Sequence, residues 1–383
     1  MRVYVSSVGF TTVADHWNES LLDLATEASK KALAGGPGKP QQLLVGNMFS
    51  SSGAGQEHLG ALLASALGLT GLAAVKLEAA GASGASAFSI AHSLIKAGAI
   101  DSALVVGVEK MRDLESEEVV RSMSMAESAE YTQFMGASYA AMNGLLARYY
   151  MEQLNVTREE LSSLPVIDHA NAVSAEHAQF RKAITREVVA RSNVVADPLR
   201  LFDCAPVGDG AAAVMLANER AASASRGPLV EVLGSHVSTQ QFNLYERSDM
   251  LSFGATGEAF RAALKQAGLT TRKLKFVELH DAFSVMGALS LEAMGFSKRG
   301  EACSDAMQGK YDLNSDLSVN TFGGLKARGH PVGATGVYQI AEAYLQLSQG
   351  AGRNQVEGAD FGATQSVGGV DTTSVVHVFG RAA

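Results

Sequence analysis

Gly84–Ile95, GASAFSIAHSLI, and Ala334–Leu345, ATGVYQIAEAYL, lie 250 residues apart and follow one plan. Ala87, Ile90, Ala91, Leu94 and Ile95 of the first coincide with Val337, Ile340, Ala341, Tyr344 and Leu345 of the second. Each set is the i, i+3, i+4, i+7 stripe of an amphipathic helix, and each helix follows a glycine-rich turn. A second pair repeats in the same way: Val45–Ser50 (VGNMFS) and Glu278–Ser284 (ELHDAFS) both run from an apolar strand into a polar turn. Repetition on this scale predicts two homologous halves related by a pseudo-twofold axis. The competing account is chance resemblance among Gly/Ala-rich helix starts, and duplication is the favoured reading.

Between these segments, short runs rich in Val, Ile and Leu alternate with stretches of helical period. Leu43–Val45, Ala103–Val108, Ala211–Leu216, Leu229–Val232, Phe276–Leu279 and Ser374–Val378 read as buried strands, Glu19–Leu33 and Gly257–Ala267 as helices. Strands buried on both faces and interleaved with helices predict an α/β fold. The stretch from about 112 to 195 differs: it is charged at Asp113–Glu118, rich in Met and largely helical in period, and it reads as an insertion into the first half. Ala221–Pro228 reads as the joint, which gives halves of 1–225 and 226–383.

Composition narrows the function. The 383 residues hold 31 Lys+Arg against 39 Asp+Glu, a formal charge of −8 that opposes binding to nucleic acid or an anionic membrane. Two cysteines, Cys204 and Cys303, cannot build a disulfide framework or a cysteine metal site, and no metal centre is expected. No run of 18 apolar residues is present, and Met1–Val5 reads as a strand, so the expected location is the cytoplasm.

The segment richest in chemistry is Asn320–Gly336, NTFGGLKARGHPVGATG. Its glycines permit close backbone approach, and His330 stands at the mouth of the helix beginning near Ala334. A helix N-terminus offers free N–H groups and a positive dipole to a developing oxyanion. His330 is suited to donate a hydrogen bond there or to move a proton, although a structurally satisfied His in a glycine-rich turn reads equally well from spacing alone. His280 follows an apolar strand, where α/β proteins place ligand-contacting residues. His169 and His177 are eight residues apart and do not face a common metal on a helix. Asp209-Gly210 reads as turn chemistry, and no Walker loop, GxGxxG, HExxH or GxSxG is present.

Six stretches together resemble the thiolase superfamily, and within it the sterol-carrier-protein-2-like and archaeal-type thiolases, over essentially the full length. They are Glu78–Phe88 (EAAGASGASAF), His169–Thr185 (HANAVSAEHAQFRKAIT), Pro206–Leu216 (PVGDGAAAVML), Glu278–Ser284, Asn320–Gly336 and Gln365–Phe379 (QSVGGVDTTSVVHVF). The resemblance implies a five-layered αβαβα fold of two similar halves, with the insertion as a loop domain over an acyl-CoA substrate. It implies a homodimer or higher homo-oligomer and a small OB-fold, zinc-ribbon partner subunit in some members. No cofactor is implied beyond the coenzyme A thioester that is the substrate.

In thiolases that proceed through an acyl-enzyme, the position matching Gly81 carries the nucleophilic cysteine. Glycine has no side chain, so no acyl-enzyme can form there. The cysteine that relatives carry in the HDCF motif is here Ala282, and that of the late CxG motif is Ser366. His330 and His280 persist as catalytic candidates. The resemblance further implies an oxyanion hole from the backbone of Gly81 and Gly368, and substrate contacts at Asn320, Gly329, Gly369 and Ser366. Relatives that act as aldolases use tyrosines, and Tyr338 and Tyr245 are the candidates for that role. Tyr338 reads equally as core, since its counterpart in the repeat is Phe88.

Three functions follow from these residues. The first is carbon–carbon cleavage or formation of the retro-aldol type, by enolate stabilisation without a cysteine. The second is a thiolase-type C-acyltransferase whose nucleophile has been replaced at 81. The third is a non-catalytic subunit that binds acyl-CoA or a partner.

Overall fold

The computed structural model describes residues 1–382. Twelve strands occur in chain order: β1 (Val3–Phe10), β2 (Gln42–Gly46), β3 (Ala73–Leu77), β4 (Ser102–Glu109), β5 (Val194–Ala196), β6 (Leu199–Arg200), β7 (Gly210–Asn218), β8 (Val230–Thr239), β9 (Phe276–Glu278), β10 (Ser318–Val319), β11 (Phe361–Gly368) and β12 (Thr373–Arg381). Ten form one sheet in the order β10-β9-β11-β12-β8-β1-β7-β4-β2-β3, and β5 and β6 pair as a separate ribbon.

That order is a palindrome of two equal halves. Reading inward from either edge, two parallel pairings are followed by two antiparallel ones: β3-β2-β4-β7-β1 on one side, β10-β9-β11-β12-β8 on the other. The halves join where β1 meets β8 antiparallel, Tyr4 opposite Glu231 and Val5 opposite Val230. β2 and β9, the two strands whose ends repeat in sequence, occupy equivalent places. β4 and β7 are buried at every residue, which is why they read as continuous apolar runs.

The repeated helices, Ser83–Lys96 and Thr335–Leu347, form the middle layer; each touches strands of both halves and its own counterpart. Helices Leu21–Gly35 and Gly254–Ala267 cover the outer faces, completing αβαβα layering. The middle helices meet through glycine. A Cβ on Gly84 would stand 2.7 Å from Gly333 O and 2.8 Å from Val337 Cγ2, and one on Gly336 2.7 Å from Ala85 N. Any side chain at either position would push the two helix N-termini apart. Helix Thr335–Leu347 is enclosed almost all round, whereas Ser83–Lys96 has a free side, so Ile90 of the expected apolar stripe is 40% exposed and Phe88 is buried in its stead.

Between β4 and β7 the chain leaves the sheet and forms the helices Ser116–Ser124, Tyr139–Leu154, Ser163–Ala172 and Arg186–Arg191 and the β5–β6 ribbon. Tyr139, Leu146, Ala147 and Tyr150 of this segment join a core with Phe283, Met286 and Leu289 of the second half. No helix of the described residues is long and apolar enough to cross a membrane.

Candidate active site

The duplicated architecture brings together two helix N-termini and the ends of β9 and β11. Gly81 lies in the 3-10 turn Ala80–Ala82 that leads into Ser83–Lys96, and Ala80 takes a left-handed φ of 49° to make it. His280 follows β9, and its backbone N–H donates to Gln365 Oε1 at 2.8 Å. His330 precedes the second middle helix. The imidazoles of His280 and His330 meet edge to face, centroids 5.2 Å apart. With Ala80, Gly81, Val367, Gly369, Tyr139, Val332, Met48, Met123 and Ala126 they line a cavity of about 10 Å³, room for about one water. Ala80, Ala126 and Gly369 also line an adjoining cavity of about 160 Å³ that reaches exposed Phe242 and Met125. Met48 and Met123 are flexible walls of the inner cavity.

Hydrogen bonds fix the state of each imidazole. Thr335 Oγ1 donates to Pro331 O at 3.3 Å and therefore accepts from His330 Nδ1–H at 2.8 Å, which leaves His330 Nε2 a lone pair. His280 Nδ1 is buried without a partner. A sealed lone pair costs less than a sealed N–H donor, so the proton belongs on Nε2. That nitrogen faces Gly81, at 3.1 Å from where a Cβ on residue 81 would stand. Burial and then the Arg328 guanidinium push the His280 imidazole down to about 3. Burial, the neighbouring His280 and Arg328 together hold His330 well below its ordinary range. Both rings are neutral at pH 7, one presenting N–H and the other a lone pair.

Buried carboxyls position the loops. Glu109, at the end of β4, accepts from Met48 N (2.5 Å), Phe49 N (3.1 Å) and Gly333 N (3.0 Å), tying the turn after β2 to the turn after His330. Burial pushes its carboxyl up to about 7 despite those donors. Asp281 accepts from Leu325 N and Lys326 N and so holds the glycine-rich loop beneath His330.

Of the residues expected at the site, His280, His330, Gly81 and Gly369 line the inner cavity, and Gly368 lines only the outer one. The other five lie elsewhere. Tyr338 is fully buried behind the site; its hydroxyl donates to Thr11 O at 3.0 Å and its ring lies under Arg328, so it is core, as its repeat partner Phe88 is. Tyr245 is 56% exposed and packs against Tyr131 on the surface. Asn320 is spent on the scaffold, accepting from Leu279 N and donating to Asp168. Ser366 donates to Gln339 Oε1, and Gly329 is a close-packing position against Val13 and Gln179. None of these five lines the cavity.

The tyrosine that does line it is Tyr139, at the start of the long insertion helix; its hydroxyl donates to Gly369 O at 2.9 Å. Its only sequence signal is a place in the Met-rich insertion. Burial and the nearby Glu127 carboxylate push its phenol up, so it stays protonated. Neither cysteine reaches the cavity. Cys204 donates to Arg200 O and burial raises its thiol to about 12, while Cys303 is sealed in the core.

Residues 6–220 match the family description "Thiolase, N-terminal domain", and residues 235–381 match "Thiolase C-terminal domain-like". The chain belongs to the thiolase family. It is 38% identical over 382 residues to an acetyl-CoA acetyltransferase of Methanothermobacter thermautotrophicus, covering 99% of both chains. It is 30% identical over 385 residues to human sterol carrier protein 2, covering 96% of this chain and 70% of the relative. Among solved structures, one described as an Ltp2-ChsH2(DUF35) aldolase superposes with a TM-score of 0.86 at 22% identity, covering 99% of this chain and 98% of that one. This last likeness shows the fold.

Proposed function

We propose that this chain is an acyl-CoA lyase or aldolase that makes or breaks a carbon–carbon bond through a thioester enolate, without an acyl-enzyme. The observation that carries the reading is the pairing of two neutral imidazoles, one a donor and one an acceptor, on a cavity that no thiol lines. In the cleavage direction the substrate is a 3-hydroxyacyl-CoA. His330 Nε2 takes the 3-hydroxyl proton, the C2–C3 bond breaks, and its electron pair passes into the thioester as an enolate. The O–H electrons form the carbonyl of the departing aldehyde or ketone. His280 Nε2–H stabilises the enolate oxygen from the Gly81 side. Return of the proton to C2 gives the shortened acyl-CoA. Tyr139 acts as a positioning residue, because its hydroxyl is committed to the Gly369 carbonyl that borders the cavity.

The second reading is acyl transfer, favoured by 38% identity to a protein named acetyl-CoA acetyltransferase. It requires a nucleophile that position 81 does not supply. The proposal includes a homodimer, supported by the uncovered edge strand β3 with Val75 46% exposed. It also includes a small OB-fold, zinc-ribbon partner, supported by the DUF35 subunit in the description of the aldolase structure.

Incubation with a panel of 3-hydroxyacyl-CoA and 3-ketoacyl-CoA esters, with and without free CoA, tests the reading. Carbonyl release from the hydroxy esters without free CoA is expected. Cleavage confined to keto esters and dependent on free CoA would overturn it.

A further inference from the structure

A cavity of about 840 Å³ shares no lining residue with the His280–His330 cavity or the one adjoining it. It lies between the end of β1, the segment after helix Ser163–Ala172 and the end of the middle helix Thr335–Leu347. Its size is that of a site for a small organic molecule, and three chemically distinct features converge on it.

The first is positive charge without a partner. Arg181 and Arg353 line the cavity, and neither makes an ion pair or hydrogen bond among the described residues. Glu176 is the one acidic residue in the lining, so two guanidinium groups outweigh one carboxylate. Guanidinium forks suit phosphate oxygens, which they bind in pairs of charge-assisted bonds.

Aromatic surface is the second. Phe10 and Phe322 line the cavity and flank the His177 ring, with centroids 4.9 and 5.3 Å from it. The third is an open acceptor on a nearly buried ring. His177 has only 8% of its side chain exposed and bonds Glu342 Oε1 through Nε2 at 2.9 Å. A ring that donates Nε2–H to a carboxylate presents Nδ1 as an acceptor. His177 Nδ1 carries no hydrogen bond among the described residues, and the ring lines the cavity.

We propose that this cavity is a second ligand site, separate from the thioester site, for a phosphorylated, nucleotide-sized anion. Arg181 and Arg353 take the phosphates, Phe10 and Phe322 take the planar ring, and His177 Nδ1 accepts from a hydroxyl or N–H of the ligand. Phosphate alone would leave His177 and the aromatic walls unused, and an apolar ligand would leave two guanidinium groups unpaired. The site is wired to the catalytic side: Glu342, which holds His177, also stands 3.2 Å from Nε of Arg328, and the Arg328 charge bears on both catalytic imidazoles.

Titration calorimetry on the intact protein with ADP, inorganic pyrophosphate and S-acetyl-pantetheine, a thioester that carries no nucleotide, tests the site. Arg181→Ser/Arg353→Ser is the variant of choice, because both residues are exposed and its folding can be checked by circular dichroism. ADP is expected to bind once per chain, more weakly as salt is raised, and at least roughly tenfold more weakly in the double variant. S-acetyl-pantetheine at saturation is expected to leave ADP binding unchanged. No binding of ADP, or equal binding by the folded double variant, would overturn the proposal. Pyrophosphate binding as tight as ADP would refute the role of the aromatic walls and His177. Displacement of ADP by S-acetyl-pantetheine would refute a site separate from the thioester.

Discussion

The packing around Gly81 yields the most exacting prediction. A Cβ placed on residue 81 would stand 2.5 Å from Val367 O and 2.8 Å from His280 Cε1. Ordinary contact begins at 3.4 Å, so the Val367 carbonyl would have to retreat by about 0.9 Å. That carbonyl belongs to β11, which is paired along its length with β12 and cannot swing aside as a side chain would. Gly81→Ala therefore overpacks the site, at a cost of about 1–3 kcal/mol. With an unfolding entropy of roughly 2.1 cal/mol/K per residue, this corresponds to a fall in Tm of about 1–4 °C. Displacing the His280 ring on the same scale lowers kcat/KM by roughly a hundredfold. Gly81→Cys meets the same obstruction and, besides, places a thiol against a neutral imidazole. Differential scanning calorimetry and iodoacetamide labelling followed by mass spectrometry read both effects. A Gly81→Cys protein with unchanged Tm, a rapidly alkylated thiol and CoA-dependent thiolysis would refute the reasoning and favour an acyltransferase that has lost its nucleophile.

The three tyrosines separate by the same logic. Tyr139→Phe leaves the buried Gly369 carbonyl without its donor, a loss of about 1–3 kcal/mol at the cavity wall, and lowers kcat roughly tenfold or more. Tyr338→Phe lowers stability while kcat holds, and Tyr245→Phe changes neither, as steady-state kinetics and thermal melts will show. Glu109→Gln turns an acceptor toward three backbone N–H groups into a partial donor and costs about 1–3 kcal/mol, with kcat falling because the His330 loop loses its tie. Stability also depends on pH in a defined direction. Burial raises Glu109, Glu127 and Asp371 to about 7, so the folded chain keeps protons that the unfolded chain has released. Their contribution is whole below the unfolded carboxyl range and is lost as pH rises through 7. His92, His169, His280 and His377, lowered to between about 3 and 4, work the other way, but only below 6.5. Burial lowers the Lys326 ammonium to about 8, and it works against the carboxyls as pH approaches that value. Between pH 6.5 and 7.5 the carboxyls dominate, and Tm falls across that window in melts at constant ionic strength.

Much of this was legible in the residues themselves. The repeated helix stripe and the repeated strand ends anticipated a sheet order that is the same in both halves, because each half must bury the same pattern against its counterpart. Gly81, His280 and His330 were readable because each lies at an element terminus that points at the shared centre. Tyr139 was not, since its contact with Gly369 spans 230 residues and arises only when the insertion packs on the second half. Tyr338, the candidate nearest His330 in sequence, lies one helical turn inside the layer, where enclosure rather than spacing decides its role. Asn320 and Ser366 lie off the cavity for a related reason: Asn320 accepts from Leu279 N just after β9, and Ser366, inside β11, donates to Gln339 Oε1.

The central claim is that an enolate forms without an acyl-enzyme, and a single incubation tests it. The protein is held with a saturated acyl-CoA in deuterium oxide, and the intact protein mass and the deuterium content at C2 are followed together. Deuterium is expected to enter C2 while the protein mass stays unchanged, with exchange lost in His330→Ala. A protein mass raised by one acyl group would contradict the account, as would the absence of C2 exchange in a wild-type protein that still turns over thioesters.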